Sequence, residues 1–191
     1  MRHLLAVLLV PVVFAALAPA APVPKHLLKP PEPVYYYPTT VGAKWVYDGD
    51  HVRVVAKVED RKGAKVVSVE AEAEGKRAAD ETMEVSETGL TRLACGGAPF
   101  DVPLVMLIGP IRVGTTWEIK TAGAQGTGRI GAVETVKVPA GSFEAVRVDI
   151  EQPHADRVRT IRAWYAPDIG LLKMTDDDKE IWLLKSFTSG K

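Results

Sequence analysis

Val67-Ser68-Val69-Glu70-Ala71-Glu72-Ala73-Glu74 decides how this chain is read. Apolar and polar residues alternate without a break, and in extended backbone alternate side chains point to opposite faces, so the pattern predicts a half-buried strand. Alanine and glutamate favour helices, yet wound as a helix this stretch would scatter its apolar residues around the axis. Pattern therefore outweighs propensity, and the domain is β.

The same period runs outward in both directions. His51 to Glu59 sets Val52, Val54, Ala56 and Val58 against His51, Arg53, Lys57 and Glu59, with Val55 out of phase. Further strands are expected at Lys44 to Tyr47, Glu81 to Ser86, Thr115 to Lys120, Gly128 to Val138, Phe143 to Glu151, Val158 to Tyr165, Leu171 to Thr175 and Glu180 to Phe187, with turn residues between them. Val138-Pro139-Ala140-Gly141 reads as a tight turn joining antiparallel neighbours. No segment holds a capped 3.6 period, so any helix is short, the candidate being Ala98 to Leu107. The fold class expected is all-β, mainly antiparallel: a curled sheet, half-barrel or barrel of about ten strands that hides one apolar face.

Pro38-Thr39-Thr40-Val41-Gly42-Ala43-Lys44-Trp45 and Pro110-Ile111-Arg112-Val113-Gly114-Thr115-Thr116-Trp117 share the pattern P-x-x-V-G-x-x-W. Each reads as a glycine turn feeding a strand whose Trp reaches inward, which suggests two similar halves, 38–109 and 110–187.

Ahead of this domain, Met1-Arg2-His3, the apolar run Leu4 to Leu17 and Ala18-Pro19-Ala20 have the form of a secretion signal cleaved after Ala20. The run is shorter than the roughly 20 residues a membrane-spanning helix needs, and Pro11 interrupts it, so no transmembrane anchor is expected after cleavage. The only cysteine, Cys95, lies far from the cleavage site, which argues against a lipoprotein. Residues 21–38, rich in proline, form an extended linker whose Tyr35-Tyr36-Tyr37 docks on the single domain at 39–191. The expected location is periplasmic or secreted.

The chain has 24 basic and 24 acidic residues, interspersed, as in Lys57-Val58-Glu59-Asp60-Arg61-Lys62. No one-signed patch exists to attract nucleic acid. A lone cysteine forms no internal disulfide, and Cys95 is expected as a small buried apolar residue.

No motif supplies chemistry. Gly126-Thr127-Gly128-Arg129-Ile130-Gly131 matches G-x-G-x-x-G, but a strand pattern follows where a dinucleotide site needs a helix, so it reads as a bulged hairpin segment and no cofactor is expected. Asp48-Gly49-Asp50-His51 and Asp176-Asp177-Asp178 read as hairpin turns with solvated charges, the second with weak calcium affinity at most. Mature-chain histidines are His26, His51 and His154, and no G-x-S-x-G accompanies them.

Tyr36-Tyr37-Pro38 with Val41-Gly42 and Trp45-Val46-Tyr47, Val113-Gly114 with Trp117, Val136 to Val146 containing Val138-Pro139-Ala140-Gly141-Ser142-Phe143, and Trp164-Tyr165-Ala166-Pro167 with Gly170-Leu171-Leu172-Lys173 resemble a family of exported bacterial β-proteins of unassigned role. More distantly the chain is similar to the lipoprotein-localisation carriers, and that resemblance implies a half-barrel with an apolar ligand on its concave face. The expectation is a non-catalytic protein whose curved sheet binds a lipid, an apolar small molecule or a partner chain. Val102, Leu104, Met106, Ile108, Trp45 and Trp117 would form its apolar ligand or plug region, with Val102 to Ile108 lying across the mouth. The alternative is an exported hydrolase using carboxylates in the concavity.

Overall fold

A computed structural model describes residues 33–121 and 124–191 of the chain. The secretion signal expected at 1–20 and the first part of the linker lie outside the described residues. The unit from Pro33 to Lys191 is compact on its own account.

Twelve antiparallel strands make up one sheet: β1 (Lys44–Tyr47), β2 (Val52–Arg61), β3 (Ala64–Ala73), β4 (Lys76–Ser86), β5 (Gly89–Cys95), β6 (Ala98–Ile108), β7 (Thr116–Thr121), β8 (Ala124–Val138), β9 (Gly141–His154), β10 (Arg157–Ala166), β11 (Gly170–Asp176) and β12 (Lys179–Thr188). One short 3-10 turn, Asp48–Asp50, joins β1 to β2. The sheet order is β6-β5-β4-β3-β2-β1-β12-β11-β10-β9-β8-β7. It is a meander in which the first and last strands pair, with Lys44 opposite Thr188 and Trp45 opposite Phe187. The sheet curls into a nearly closed barrel whose two ends, β6 and β7, follow one another in sequence.

Each strand's turn is legible in its residues. Lys62-Gly63 and Glu74-Gly75 both have positive φ at the two central positions, the geometry whose twist matches that of paired strands. Val138 pairs Gly141, so the Pro139-Ala140 turn does join antiparallel neighbours as read from sequence.

The alternation in β3 holds at Val67 and Val69, which are buried in the core, and fades beyond them, where Ala71 is half-buried and Ala73 exposed. In β2 it does not hold. Register shifts between Val55 and Lys57, so Ala56 is an extra residue that exchanges the two faces of the strand. Val55, out of phase in the sequence, lies in the core cluster, and Arg53, read as outward, lies opposite the buried Trp45.

Residues 89–108 correct the sequence reading most. The expected helix at Ala98 to Leu107 is a strand, and with β5 it raises the count from about ten to twelve. Pro99 and Pro103 obscured it, since proline removes ladder donors and is excluded from central strands, but β6 stands at the end of the sheet order, where that loss is tolerated. Cys95, expected buried, is exposed beside the Gly96-Gly97 turn of this hairpin.

The two segments sharing P-x-x-V-G-x-x-W make the same backbone bonds. Gly42 N donates to Val55 O (2.9 Å) and Val55 N to Ala43 O (2.8 Å), while Gly114 N donates to Ile130 O (2.8 Å) and Ile130 N to Thr115 O (2.9 Å). Each leads into the first strand of a six-strand meander. Among the described residues no helix is long and apolar enough to cross a membrane.

Candidate functional site

Two features of the interior bear on function. One is a buried ionic cluster, the other the junction between β6 and β7.

The cluster centres on Glu81 of β4, only 5% exposed. It shares parity with Met83 and Val85, both buried, which sets its carboxylate on the apolar face. Burial disfavours ionisation, but guanidiniums on neighbouring strands reverse this: Arg53 Nη2 of β2 lies 2.5 Å from Oε1 and Arg92 Nη2 of β5 lies 2.7 Å from Oε2. Glu81 is thereby held below the ordinary carboxylate value. Arg53 also bonds Asp80 through Nε at 2.5 Å. Tyr37, from the segment ahead of β1, donates its hydroxyl to Glu81 Oε1 at 2.6 Å. Its ring sits 5.5 Å from that of Trp45 and leaves little room above Gly170, where a Cβ would come within 3.2 Å of it. Burial first, then the Glu81 charge, keep the Tyr37 hydroxyl protonated and donating. Tyr165 of β10 is pushed up to about 12, mainly by burial. One polar atom of the cluster is unmatched: Arg92 Nε is sealed from solvent with no hydrogen-bond partner. A buried donor left so is uncommon and costly.

At the other feature, β6 and β7 are the two ends of the sheet order and share no ladder. Trp117 Nε1 of β7 instead donates to Val105 O of β6 at 3.1 Å. Trp117 is 8% exposed and covers Gly128 of β8, its cross-strand partner, where any Cβ would collide with the indole. Gly126 and Gly131 are equally confined, by Glu151 O and by Asp149 with Arg147. The G-x-G-x-x-G match is therefore a set of packing glycines within β8.

The residues expected to form an apolar ligand region divide between the two features. Leu104 and Ile108 are half-buried and Met106 is buried, all on β6 at the seam; Val102, at 53% exposure, lies on the outer part of that strand. Val102 to Ile108 is thus the lip of the junction and not a segment across the mouth. Trp117 faces it. Trp45, 1% exposed, lies apart from the seam and donates Nε1 to Ile169 O at 2.7 Å.

The acidic turns are ion-paired. Asp176 takes Arg159 in a two-pronged pair (2.7 and 2.5 Å), Asp177 takes Arg157 and the Thr160 amide, and Asp178 takes Arg162. These charges stay largely solvated, as read, Asp178 at 81% exposure, and are also paired with arginines of β10. Asp48 and Asp50 face Lys185, and the His51 ring stacks 5.4 Å from Trp182. Among the described residues no group of His, Cys, Asp and Glu could hold a metal ion.

Sequence reading missed the ionic cluster. Glu81 could have been found by its parity with Met83 and Val85, and Arg92 by its parity with Leu90. Arg53 shares parity with Val55, the apolar exception in β2, but the run of Val52, Val54, Ala56 and Val58 pointed the other way.

Fold and interior together define a class: a nearly closed antiparallel barrel with an aromatic core, a buried Arg-Glu-Arg cluster and a single unzipped junction. Among solved structures, the chain matches one from Bacteroides fragilis described as an exported protein with a YmcC-like fold, at TM-score 0.52 and 17% identity, over 81% of this chain and 99% of that one. One from Parabacteroides distasonis, described as a lipoprotein, aligns over the same shares at TM-score 0.47 and 15% identity. At such identity the likeness is one of fold. No protein-family model matches the chain, and no curated protein matches it in sequence.

Proposed function

We propose that this chain works outside the cytoplasm as a non-catalytic β protein that admits the apolar chain of a lipid or other amphiphile through the β6–β7 seam. The observation that carries the reading is that, among the described residues, no backbone ladder joins β6 to β7 and a side-chain bond, Trp117 to Val105, bridges them, with Leu104, Met106 and Leu107 of β6 and Ile119 of β7 belonging to the core. A ladder opens only by losing several bonds together, whereas a single neutral hydrogen bond contributes about 0.5–1.5 kcal/mol. Export is supported by the signal-like residues 1–20 and by the description of the Bacteroides fragilis fold neighbour as exported.

A partner strand adding at β6 is less favoured, because Pro99 and Pro103 deny that edge two donors. The hydrolase alternative is also less favoured. Glu81 is shared by two arginines and Asp80 lies on one of them, so neither carboxyl is poised as a general acid. Native mass spectrometry of protein purified from its own envelope tests the proposal: a single-chain lipid adduct, or uptake of palmitate by the apo protein, is expected. A clean apo mass that takes up neither palmitate nor 1-hexadecanol overturns it.

A further inference from the structure

We infer that Arg92 is the head-group anchor of the seam, so that the ligand is a single-chain amphiphile with an anionic head rather than a neutral one. The inference rests on the seam reading above. Arg92 lies on β5, one strand in from the junction, directly opposite Leu104 of the lip.

Its guanidinium faces the interior, as its bond to Glu81 requires. The cluster is unevenly shared. Glu81 divides its two oxygens between Arg53 and Arg92, while Asp80 serves Arg53 alone. Arg53 therefore has two carboxylates and Arg92 one, and the Arg92 Nε–H is sealed and unmatched although the side chain as a whole is 28% exposed. A planar guanidinium already held on one side by Glu81 offers its remaining edge to a second anion, and a carboxylate or phosphate oxygen supplies the acceptor that Nε lacks. A hydroxyl head also accepts, but it brings no charge, and a charge-assisted bond is about twice as strong as a neutral one. The acyl chain would then extend from Arg92 past Leu104 and Met106 toward the Trp117 side of the junction.

Binding of palmitate, 1-palmitoyl lysophosphatidate and 1-hexadecanol to the full exported chain, followed by Trp fluorescence and native mass spectrometry, tests the assignment. The anionic probes are expected to bind at least tenfold tighter than the alcohol, and their relative affinities tell a carboxylate head from a phosphate. Arg92→Gln is expected to abolish that preference while keeping hexadecanol affinity, and Arg92→Lys to restore part of it. Equal binding of all three probes to the wild-type chain overturns the head-group assignment and leaves the seam reading standing. Binding of none overturns both. The wild-type comparison decides the matter even where Arg92→Gln fails to fold for want of a partner to Glu81.

Discussion

Arg53 and Glu81, on strands separated by β3, meet inside the barrel with Nη2 2.5 Å from Oε1, and the shared carboxylate carries Arg92 and Tyr37 as well. Two guanidiniums thus meet at one carboxylate, Arg53 keeping Asp80 besides. Removing it leaves Arg92 with no carboxylate and Arg53 with Asp80 alone, so Glu81→Ala is expected to cost about 3–5 kcal/mol in urea unfolding. Glu81→Gln, which keeps an acceptor, should cost less. Equal stability of wild type and Glu81→Ala would show that the cluster is solvated.

The same contacts set a pH dependence. Burial opposes the Glu81 charge, but Arg53 and Arg92 outweigh it and hold the carboxyl below its ordinary 4.5. The folded state therefore binds this proton less readily than the unfolded chain. The contribution is fully present above pH 4.5 and is lost as pH falls below 4.5 through the folded value. Unfolding free energy measured from pH 6 downward should decline over that acid window, and the decline should be shallower in Glu81→Gln.

Tyr37 ties the segment ahead of β1 to the barrel. Tyr37→Phe removes one bond to a charged acceptor and is expected to cost about 1.5–3 kcal/mol, whereas Tyr37→Ala also empties the space beside Trp45 and is expected to cost about 3–5 kcal/mol. Chemical denaturation of the two variants separates hydroxyl from ring.

At the seam, Gly128→Ala would drive a methyl into the Trp117 indole. Displacing that ring breaks its bond to Val105 and is expected to cost about 1–3 kcal/mol. Hydrogen exchange should quicken in β6 and β7 before it does in β1 and β12, whose ladder is intact.

Cys95 stands exposed beside Gly96-Gly97. It should react fully with a thiol reagent in the absence of denaturant. Reaction only after unfolding would restore the buried reading.

Calcium should leave the melting temperature unchanged, because Asp176, Asp177 and Asp178 are each paired with an arginine. Arg159, through its hydrogen bond, holds Asp176 below the ordinary carboxylate value. A rise in melting temperature with calcium would mean that the ion displaces these partners.

An antiparallel β protein was legible from local pattern alone, because the two-residue period of β3 and the turn at Val138 to Gly141 are properties of neighbouring residues. The sequence also placed Trp45 and Trp117 inward, each after a glycine turn. The tertiary structure alone decided which face of β2 is inside, since the one-residue bulge at Ala56 exchanges its faces without changing any side chain's chemistry. It alone made 98–108 an edge strand, because proline forbids the middle of a sheet but not its end. Parity marks Glu81 and Arg92 as inward, but their meeting was beyond the sequence: Tyr37, Arg53, Glu81 and Arg92 come together only once β1 to β5 are in register, and a charge's cost or benefit depends on what closes around it.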